Sequence, residues 1–142
     1  MSFISAAAVN AGVVLERRQS EEDFWATKDF IKGAMFERAR RILQIARNHG
    51  HQDLVLGAWG TGVFRNDSKK VAAMFHTLLI SPKYFANVFR RVVFAIATPA
   101  VEKHTGKDPS SPYTIFRSVF DKDKNVAADN KKDPKTTGAH EQ

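Results

Sequence analysis

The sequence predicts an α/β fold, in which helices alternate with short parallel strands. Two short apolar segments, 53–56 and 92–97, have the length and composition of buried strands. The first of them is followed by a glycine-rich turn and by a capped helical segment. Because parallel strands usually carry helices on both faces of the sheet, we expect both faces of these strands to be covered.

The chain begins with a segment that is compatible with a further strand. Residues 2–8 are short and apolar, while a turn is expected at 10–12 and a loop at 13–20. Together with 53–56 and 92–97, this segment makes about three strands. Since sheets have about five or six strands on average, the sequence indicates part of a larger sheet.

A long amphipathic helix is predicted from about Asp23 or Thr27 to Asn48. The run Asn48-His49-Gly50 has the composition of a helix C-terminus, where glycine is favoured. Apolar residues recur at helical spacing, and we expect a buried stripe on one face of this helix. The residues near that spacing are Phe24, Ile31, Met35, Ile42, Ile45 and Ala46.

A second helix is predicted from about Asp67 to Ile80, followed by the strand at 92–97. Asn66, Asp67 and Ser68 are all residue types that cap helix N-termini. Ser81-Pro82 ends the helix, because proline cannot continue it. Its buried side is expected to consist of Val71, Met74, Phe75, Leu78 and Leu79.

The C-terminal part is expected to contain a loop at 98–112, a last helix at about 113–120 and a disordered tail at 121–142. The tail contains no aromatic residue and is rich in polar residues, so it has little apolar surface to bury. The folded part is therefore expected to span 1–120.

Composition excludes several classes of protein. The 142 residues suit one domain, and no run of about 18 apolar residues indicates a membrane span. The N-terminus does not have the pattern of a secretory signal, and there is no cysteine, so we expect an intracellular protein of the cytoplasm or nucleus. The five histidines have no metal-ligand spacing, and neither a metal site nor a cofactor is predicted.

The formal net charge of +7 belongs to the segment 1–120, because 121–142 holds five acidic residues and five lysines. A basic domain favours polyanionic partners such as nucleotides or nucleic acids. A solvated basic helix face explains the same charge without any partner. Charge alone therefore leaves a nucleic-acid-binding role as a weak alternative.

The segment from Gly57 to Phe64 is the strongest candidate for a binding site. Its three glycines have the spacing G-x-x-G-x-G, which is neither the dinucleotide fingerprint nor the P-loop pattern. A strand, a glycine-rich turn and a helix N-terminus in this order bring backbone N–H groups towards one point and favour an anion such as phosphate. A tight connection without a ligand remains the alternative for such a joint.

The run Leu-Gly-Ala-Trp-Gly-Thr-Gly-Val-Phe-Arg-Asn at 56–66 resembles the microbial-type poly(ADP-ribose) glycohydrolase family. The segments 3–10, 71–72 and 92–96 also resemble this family, so the likeness covers about 2–120. The family consists of macrodomain-fold enzymes with three-layer α/β/α architecture. The resemblance implies that 1–120 is the C-terminal portion of such a domain, with Thr61 where the family usually carries cysteine.

The resemblance also implies which residues bind the ligand. In the family this loop holds the diphosphate of ADP-ribose, and Phe64 corresponds to a residue that packs near the distal ribose. For Phe64 the alternative is a core anchor, and for Trp59 it is a purely structural role. Asn10 is a possible further ligand residue, although an Asn at this position also caps turns. The candidate site residues are Gly57, Ala58, Trp59, Gly60, Thr61, Gly62, Val63 and Phe64.

Catalytic residues of the family have no counterpart in this sequence. Its catalytic loop is a glycine run followed by paired glutamates, whereas the only glutamate pair here, Glu21-Glu22, is expected to open a helix. Asp67 lies beside the glycine loop but is best explained as an N-cap. The resemblance therefore implies an ADP-ribose-binding part of a glycohydrolase-like macrodomain without its catalytic residues. The alternative is a non-catalytic ADP-ribose or nucleotide-binding module.

The partners implied by this resemblance are ADP-ribose or poly(ADP-ribose). Nucleic acid is a less favoured partner, and no membrane partner is expected. The sequence carries no signal for an oligomeric state.

Overall fold

A computed structural model describes residues 1–17, 20–97 and 108–129, and for 122–129 it describes the helix but not the side chains. Helices alternate with short parallel strands, so the predicted α/β class is confirmed. The elements in chain order are α1 (Ala11–Glu16), α2 (Glu22–Asn48), β1 (Asp53–Leu56), α3 (Ser68–Ile80), β2 (Arg91–Phe94) and α4 (Pro112–Asp129).

The sheet of the described residues contains the two parallel strands β1 and β2, with Leu54 opposite Val92 and Leu56 opposite Phe94. The side chains of Leu54, Leu56 and Phe94 pack against the core. The other face is open, since the side chain of Val55 is 75% exposed. The prediction that both faces are covered is therefore wrong for these strands.

Residues 1–10 form no strand, which corrects the prediction of a strand at 2–8. A strand needs a neighbouring edge for its backbone hydrogen bonds. In this segment, backbone carbonyls accept hydrogen bonds from side chains instead of from a neighbouring strand. The Trp59 indole donates to the Ala6 carbonyl at 2.9 Å, and the Arg38 guanidinium donates to the Ala7 carbonyl at 3.0 Å. The segment is thus held to the body of the protein by individual side chains.

Helix α1 covers 11–16, where the sequence predicted part of a turn at 10–12 and the first part of a loop at 13–20. The Asn10 side-chain oxygen accepts a hydrogen bond from the Val13 amide at 3.2 Å, so Asn10 is the N-cap of this helix. Gly12, which indicated a turn, lies in its first turn. A short helix with a glycine has weak intrinsic preference, and the burial of Ala11 and the bond from the Gly12 amide to the Phe64 carbonyl hold it in place.

Helix α2 confirms the predicted long helix, which ends at Asn48 and is followed by Gly50 with a positive φ of 73°. Its buried stripe differs in part from the predicted one. Leu43 is fully buried, whereas Ile45 is 46% exposed and Ile42 is half-buried. Positions three or four residues apart stay on one helix face, and the stripe that keeps this spacing is Ile31, Met35, Ala39, Leu43 and Ala46.

Helix α3 begins as predicted, with Asp67 as its N-cap. The Asp67 carboxylate accepts hydrogen bonds from the amides of Lys69 and Lys70 at 2.8 and 3.2 Å. On its buried side, Phe75 packs edge-on against Phe94 of β2 with ring centroids 5.6 Å apart. The helix thereby links the loop that precedes it to the core.

Helix α4 packs on α3 and β2 and is longer than the predicted helix at 113–120. Its Phe116 and Phe120 rings lie 5.2 and 4.9 Å from the Phe94 ring. The tail predicted from Asp121 starts within this helix, which continues to Asp129, and 130–142 lie outside the described residues. Most of the loop predicted at 98–112 also lies outside them. None of the described helices is long and apolar enough to cross a bilayer.

The ion pairs of Glu37 on α2 predict how the stability of the protein depends on pH. Its carboxylate accepts hydrogen bonds from Arg40 and Arg41, which lower its pKa from 4.5 to about 2. Because the pKa falls on folding, these contacts stabilise the protein fully above about pH 4.5 and are lost as the pH falls towards 2. We expect Glu37→Gln to lower Tm slightly at pH 7, with a difference from the unmodified chain that shrinks below about pH 5.

Thermal unfolding of both proteins across this pH range checks the prediction. The side chains are half-exposed, so solvent screening keeps the effect small and added salt should reduce it further. A Tm difference that is the same at neutral and acidic pH would contradict a role for the charge of Glu37.

Candidate functional site

The loop from Gly57 to Phe64 leaves the end of β1 and leads into α3, as predicted. Two short hydrogen-bonded turns shape it. The Thr61 amide and hydroxyl both donate to the Ala58 carbonyl, at 3.2 and 2.9 Å. The Arg65 amide donates to the Gly62 carbonyl at 2.9 Å. The loop is therefore braced from within while its remaining amides are left for other partners.

Most backbone N–H groups of this loop have no acceptor among the residues that the structure describes. The Thr61 amide is the exception, since it donates to Ala58. Backbone donors are almost always paired with protein, water or ligand, so these groups need water or a ligand. The amides in question belong to Gly57, Ala58, Trp59, Gly60, Gly62, Val63 and Phe64.

Gly60 is the one loop glycine that the fold itself requires. Its φ is +75°, a conformation that residues with a side chain rarely adopt. A Cβ at this position would lie 2.6 Å from the Ala8 Cβ and 2.8 Å from the Asn66 side-chain nitrogen. A side chain here would therefore push the loop away from residues 8–9.

Gly57 and Gly62 have space for a side chain. A Cβ on Gly62 would meet no atom within 4 Å, and a Cβ on Gly57 would lie 3.8 Å from the Ala95 carbonyl oxygen. Neither residue has a positive φ. Packing of the described residues thus does not demand glycine at these two positions.

Asn66 joins the glycine loop to the N-terminal segment. Its side chain is 7% exposed, and its amide nitrogen donates to the carbonyls of Val9 and Gly60 at 2.8 and 2.9 Å. From the sequence, Asn66 was predicted only as a candidate helix cap. One signal could have identified another role: Asp67 follows directly, and only one of two adjacent residues can occupy the N-cap position.

The aromatic and apolar residues of the loop divide into packed and exposed groups. Ala58, Trp59 and Phe64 are partly buried and pack against the core, and the Trp59 indole bonds to Ala6. These contacts support structural roles for Trp59 and Phe64, both of which remain partly exposed. Val63, in contrast, is 90% exposed.

The start of α1 lies beside the end of the glycine loop, and Asn10 is thereby brought near it. The Gly12 amide donates to the Phe64 carbonyl at 3.2 Å, and Arg65 pairs with Glu16 of α1 at 3.2 Å. The Asn10 side-chain oxygen is engaged in capping α1. The structure thus unites all the predicted site residues in one region and gives Asn10 a local structural role.

The carboxylates whose pKa is shifted do not have the properties of a general acid. An acid that protonates a glycosidic oxygen needs a raised pKa. Hydrogen bonds instead lower the pKa of Glu37 through Arg40 and Arg41, and that of Asp53 through Arg90. Asp108 also has a lowered pKa, because the Ser110 amide and hydroxyl bond to its carboxylate. The pair Glu21-Glu22 lies at the start of α2, as predicted.

Solved structures of poly(ADP-ribose) glycohydrolases are similar to this chain. One from Deinococcus radiodurans, in complex with ADP-ribose, has 32% identity and a TM-score of 0.65 and matches 82% of this chain. One from Thermomonospora curvata has 37% identity and a TM-score of 0.61 and matches 80% of this chain. No protein-family model and no curated protein matches it.

The likeness covers only part of these enzymes. This chain spans 41% of the Deinococcus chain and 36% of the Thermomonospora chain. The predicted resemblance and the α/β macrodomain-like fold are both confirmed by these similarities.

Proposed function

We propose that the Gly57–Phe64 loop binds the diphosphate of ADP-ribose, because this chain is similar to solved structures of poly(ADP-ribose) glycohydrolases. The observation that carries the proposal is the set of loop amides without acceptors, next to the N-terminus of α3. Backbone N–H groups and a helix N-terminus favour an anion without needing a charged side chain. The complex of the Deinococcus enzyme with ADP-ribose supports this choice of ligand.

The three loop glycines have different roles in this proposal. Gly60 holds the turn through its positive φ, whereas Gly57 and Gly62 allow a phosphate to approach the backbone closely. Phe64 orients the distal ribose with its exposed edge while the rest of its ring packs on the core. Asn10 contributes indirectly, because it caps the helix whose Gly12 amide bonds to the Phe64 carbonyl.

Binding, rather than bond cleavage, is the role that we assign to the residues of this chain. Cleavage of the ribose–ribose bond needs a carboxyl group that can protonate the leaving oxygen. The sequence has no glycine run followed by paired glutamates, and the hydrogen bonds to Glu37, Asp53 and Asp108 lower the pKa of these carboxyl groups rather than raise it. The chain therefore acts as the diphosphate-binding part of a glycohydrolase-like domain or as a non-catalytic ADP-ribose-binding module.

Gly62→Val tests the diphosphate loop without disturbing the fold. An added Cβ meets no atom within 4 Å here and φ is not positive, so we expect an unchanged Tm. The same side chain occupies the space in which a phosphate would approach the amides, so we expect the affinity for ADP-ribose to fall at least about tenfold. Isothermal titration calorimetry with ADP-ribose measures the effect.

Gly33→Val is the matched control, because Gly33 on α2 also has nothing within 4 Å of its added Cβ and lies outside the loop. It should bind ADP-ribose like the unmodified chain. Equal affinity of Gly62→Val and Gly33→Val would overturn the assignment of the loop. Incubation with poly(ADP-ribose) separates the two forms of the proposal, since release of ADP-ribose by this chain alone would contradict a purely binding role.

A further inference from the structure

A cleft of about 680 Å³ lies between α2 and α3. Its lining includes an apolar group from both helices, formed by Ile31, Met35, Val71 and Met74. Arg65, Asn66 and Asp67 belong to its lining as well, and these residues directly follow the glycine loop. The cleft is therefore adjacent to the proposed diphosphate site and distinct from the loop Gly57–Phe64.

Cationic side chains outnumber carboxylates around this cleft. It is lined by Lys28, Lys32, Arg65 and Lys70, against Asp29 and Asp67. The Asp67 carboxylate is engaged with two backbone amides, and Arg65 pairs with Glu16. Lys32 and Lys70 have no ion-pair partner among the described residues. Two ammonium groups on facing helices are thus available to an anion.

Trp25 lines the same cleft and is 69% exposed, which is unusual for so large an apolar side chain. The Lys28 ammonium lies 5.2 Å from its ring centroid and 4.0 Å from that of Phe24. An exposed aromatic ring beside lysines is the combination that binds the base and the phosphate of a nucleotide. Neither the core nor the glycine loop accounts for this exposure.

We propose that this cleft is a second nucleotide site, in which the base stacks on Trp25 and the phosphate lies near Lys32 and Lys70. The occupant is an adenine nucleotide unit, because the cleft adjoins the proposed ADP-ribose loop through Arg65–Asp67. In a polymer of ADP-ribose, the unit next to the one bound by the loop supplies this adenine base and phosphate. That last step rests on the proposed function, whereas binding of a free nucleotide in the cleft does not.

Fluorine NMR of the chain labelled with 5-fluorotryptophan separates the two sites. The chain has two tryptophans, Trp25 in the cleft and Trp59 in the loop, so the spectrum has two resonances, which Trp25→Phe assigns. Titration with AMP should shift the Trp25 resonance, and the double variant Lys32→Ala/Lys70→Ala should weaken this binding at least about tenfold. Lys69→Ala is the matched control, because Lys69 is an exposed neighbour that does not line the cleft.

Each outcome of this experiment decides one of the two proposals. A Trp25 resonance that does not move with AMP, or that moves equally in the double variant and in Lys69→Ala, overturns the second site. The same chain is also titrated with ADP-ribose. If ADP-ribose does not shift the Trp59 resonance while AMP shifts the Trp25 resonance, the diphosphate loop is contradicted and the cleft site is retained. Broadening of the Trp25 resonance with protein concentration, without response to AMP, would overturn the nucleotide site in favour of a protein partner.

Discussion

Gly60→Ala is expected to lower the free energy of unfolding by about 2–4 kcal/mol. Part of this loss comes from φ, since +75° is a left-handed conformation that an alanine adopts only at a cost. The rest comes from contact, because the new Cβ would lie 2.6 Å from the Ala8 Cβ and 2.8 Å from the Asn66 side-chain nitrogen. Urea unfolding followed by circular dichroism measures the change.

Gly33→Ala is the control for this substitution. Gly33 lies inside α2 with open space around it and no positive φ, so alanine there should stabilise the protein by about 0.5–1 kcal/mol. If alanine lowers the free energy of unfolding at position 60 and raises it at position 33, the loss at position 60 is due to its local backbone conformation and its neighbouring atoms. If Gly60→Ala were as stable as the unmodified chain, the described conformation of the loop would be wrong.

Asn66→Asp is expected to lower the free energy of unfolding by about 3 kcal/mol or more. The substitution keeps the shape of the side chain but removes both N–H donors. A buried carboxylate would then face the carbonyl oxygens of Val9 and Gly60, at distances where the amide now donates. Burial without a donor should also raise the pKa of the new carboxyl, so the variant should recover part of its stability at lower pH.

Chemical denaturation of Asn66→Asp at pH 7 and at about pH 5 measures both effects. Asn48→Asp is the matched control, because Asn48 is exposed and its side-chain oxygen accepts from Gln44, a bond that aspartate retains. Its stability should fall by no more than about 1 kcal/mol, because a negative charge at the C-terminus of α2 opposes the helix dipole. Equal stability of the two variants would show that the Asn66 amide does not hold the loop to residue 9.

These two residues show that the glycine loop is part of the fold as well as a candidate site. Gly60 and Asn66 both contact residues 8–9, and Trp59 bonds to Ala6. A substitution at Gly60 would therefore weaken ligand binding by disturbing the fold, even if the loop itself did not bind phosphate. Gly62, which has no such contacts, is the position at which ligand binding can be tested separately from stability.

Local features of this protein were determined by the sequence itself. The span of α2, the position of β1 and the Asp67 cap of α3 all follow from patterns that extend over a few residues. Helix spacing and caps depend on neighbours three or four positions away, which a single sequence displays directly. The same holds for the location of the glycine loop between a strand and a helix.

Only the tertiary structure decided how these local elements use their polar groups. Residues 2–8 have strand-like composition but pair with no strand among the described residues, and Asn66 bonds to a carbonyl 57 positions earlier in the chain. The exposed face of the sheet at Val55 likewise depends on what packs there rather than on the strand's own residues. Hydrogen bonds and burial between distant segments are set by packing in three dimensions, and no periodicity in the sequence encodes them.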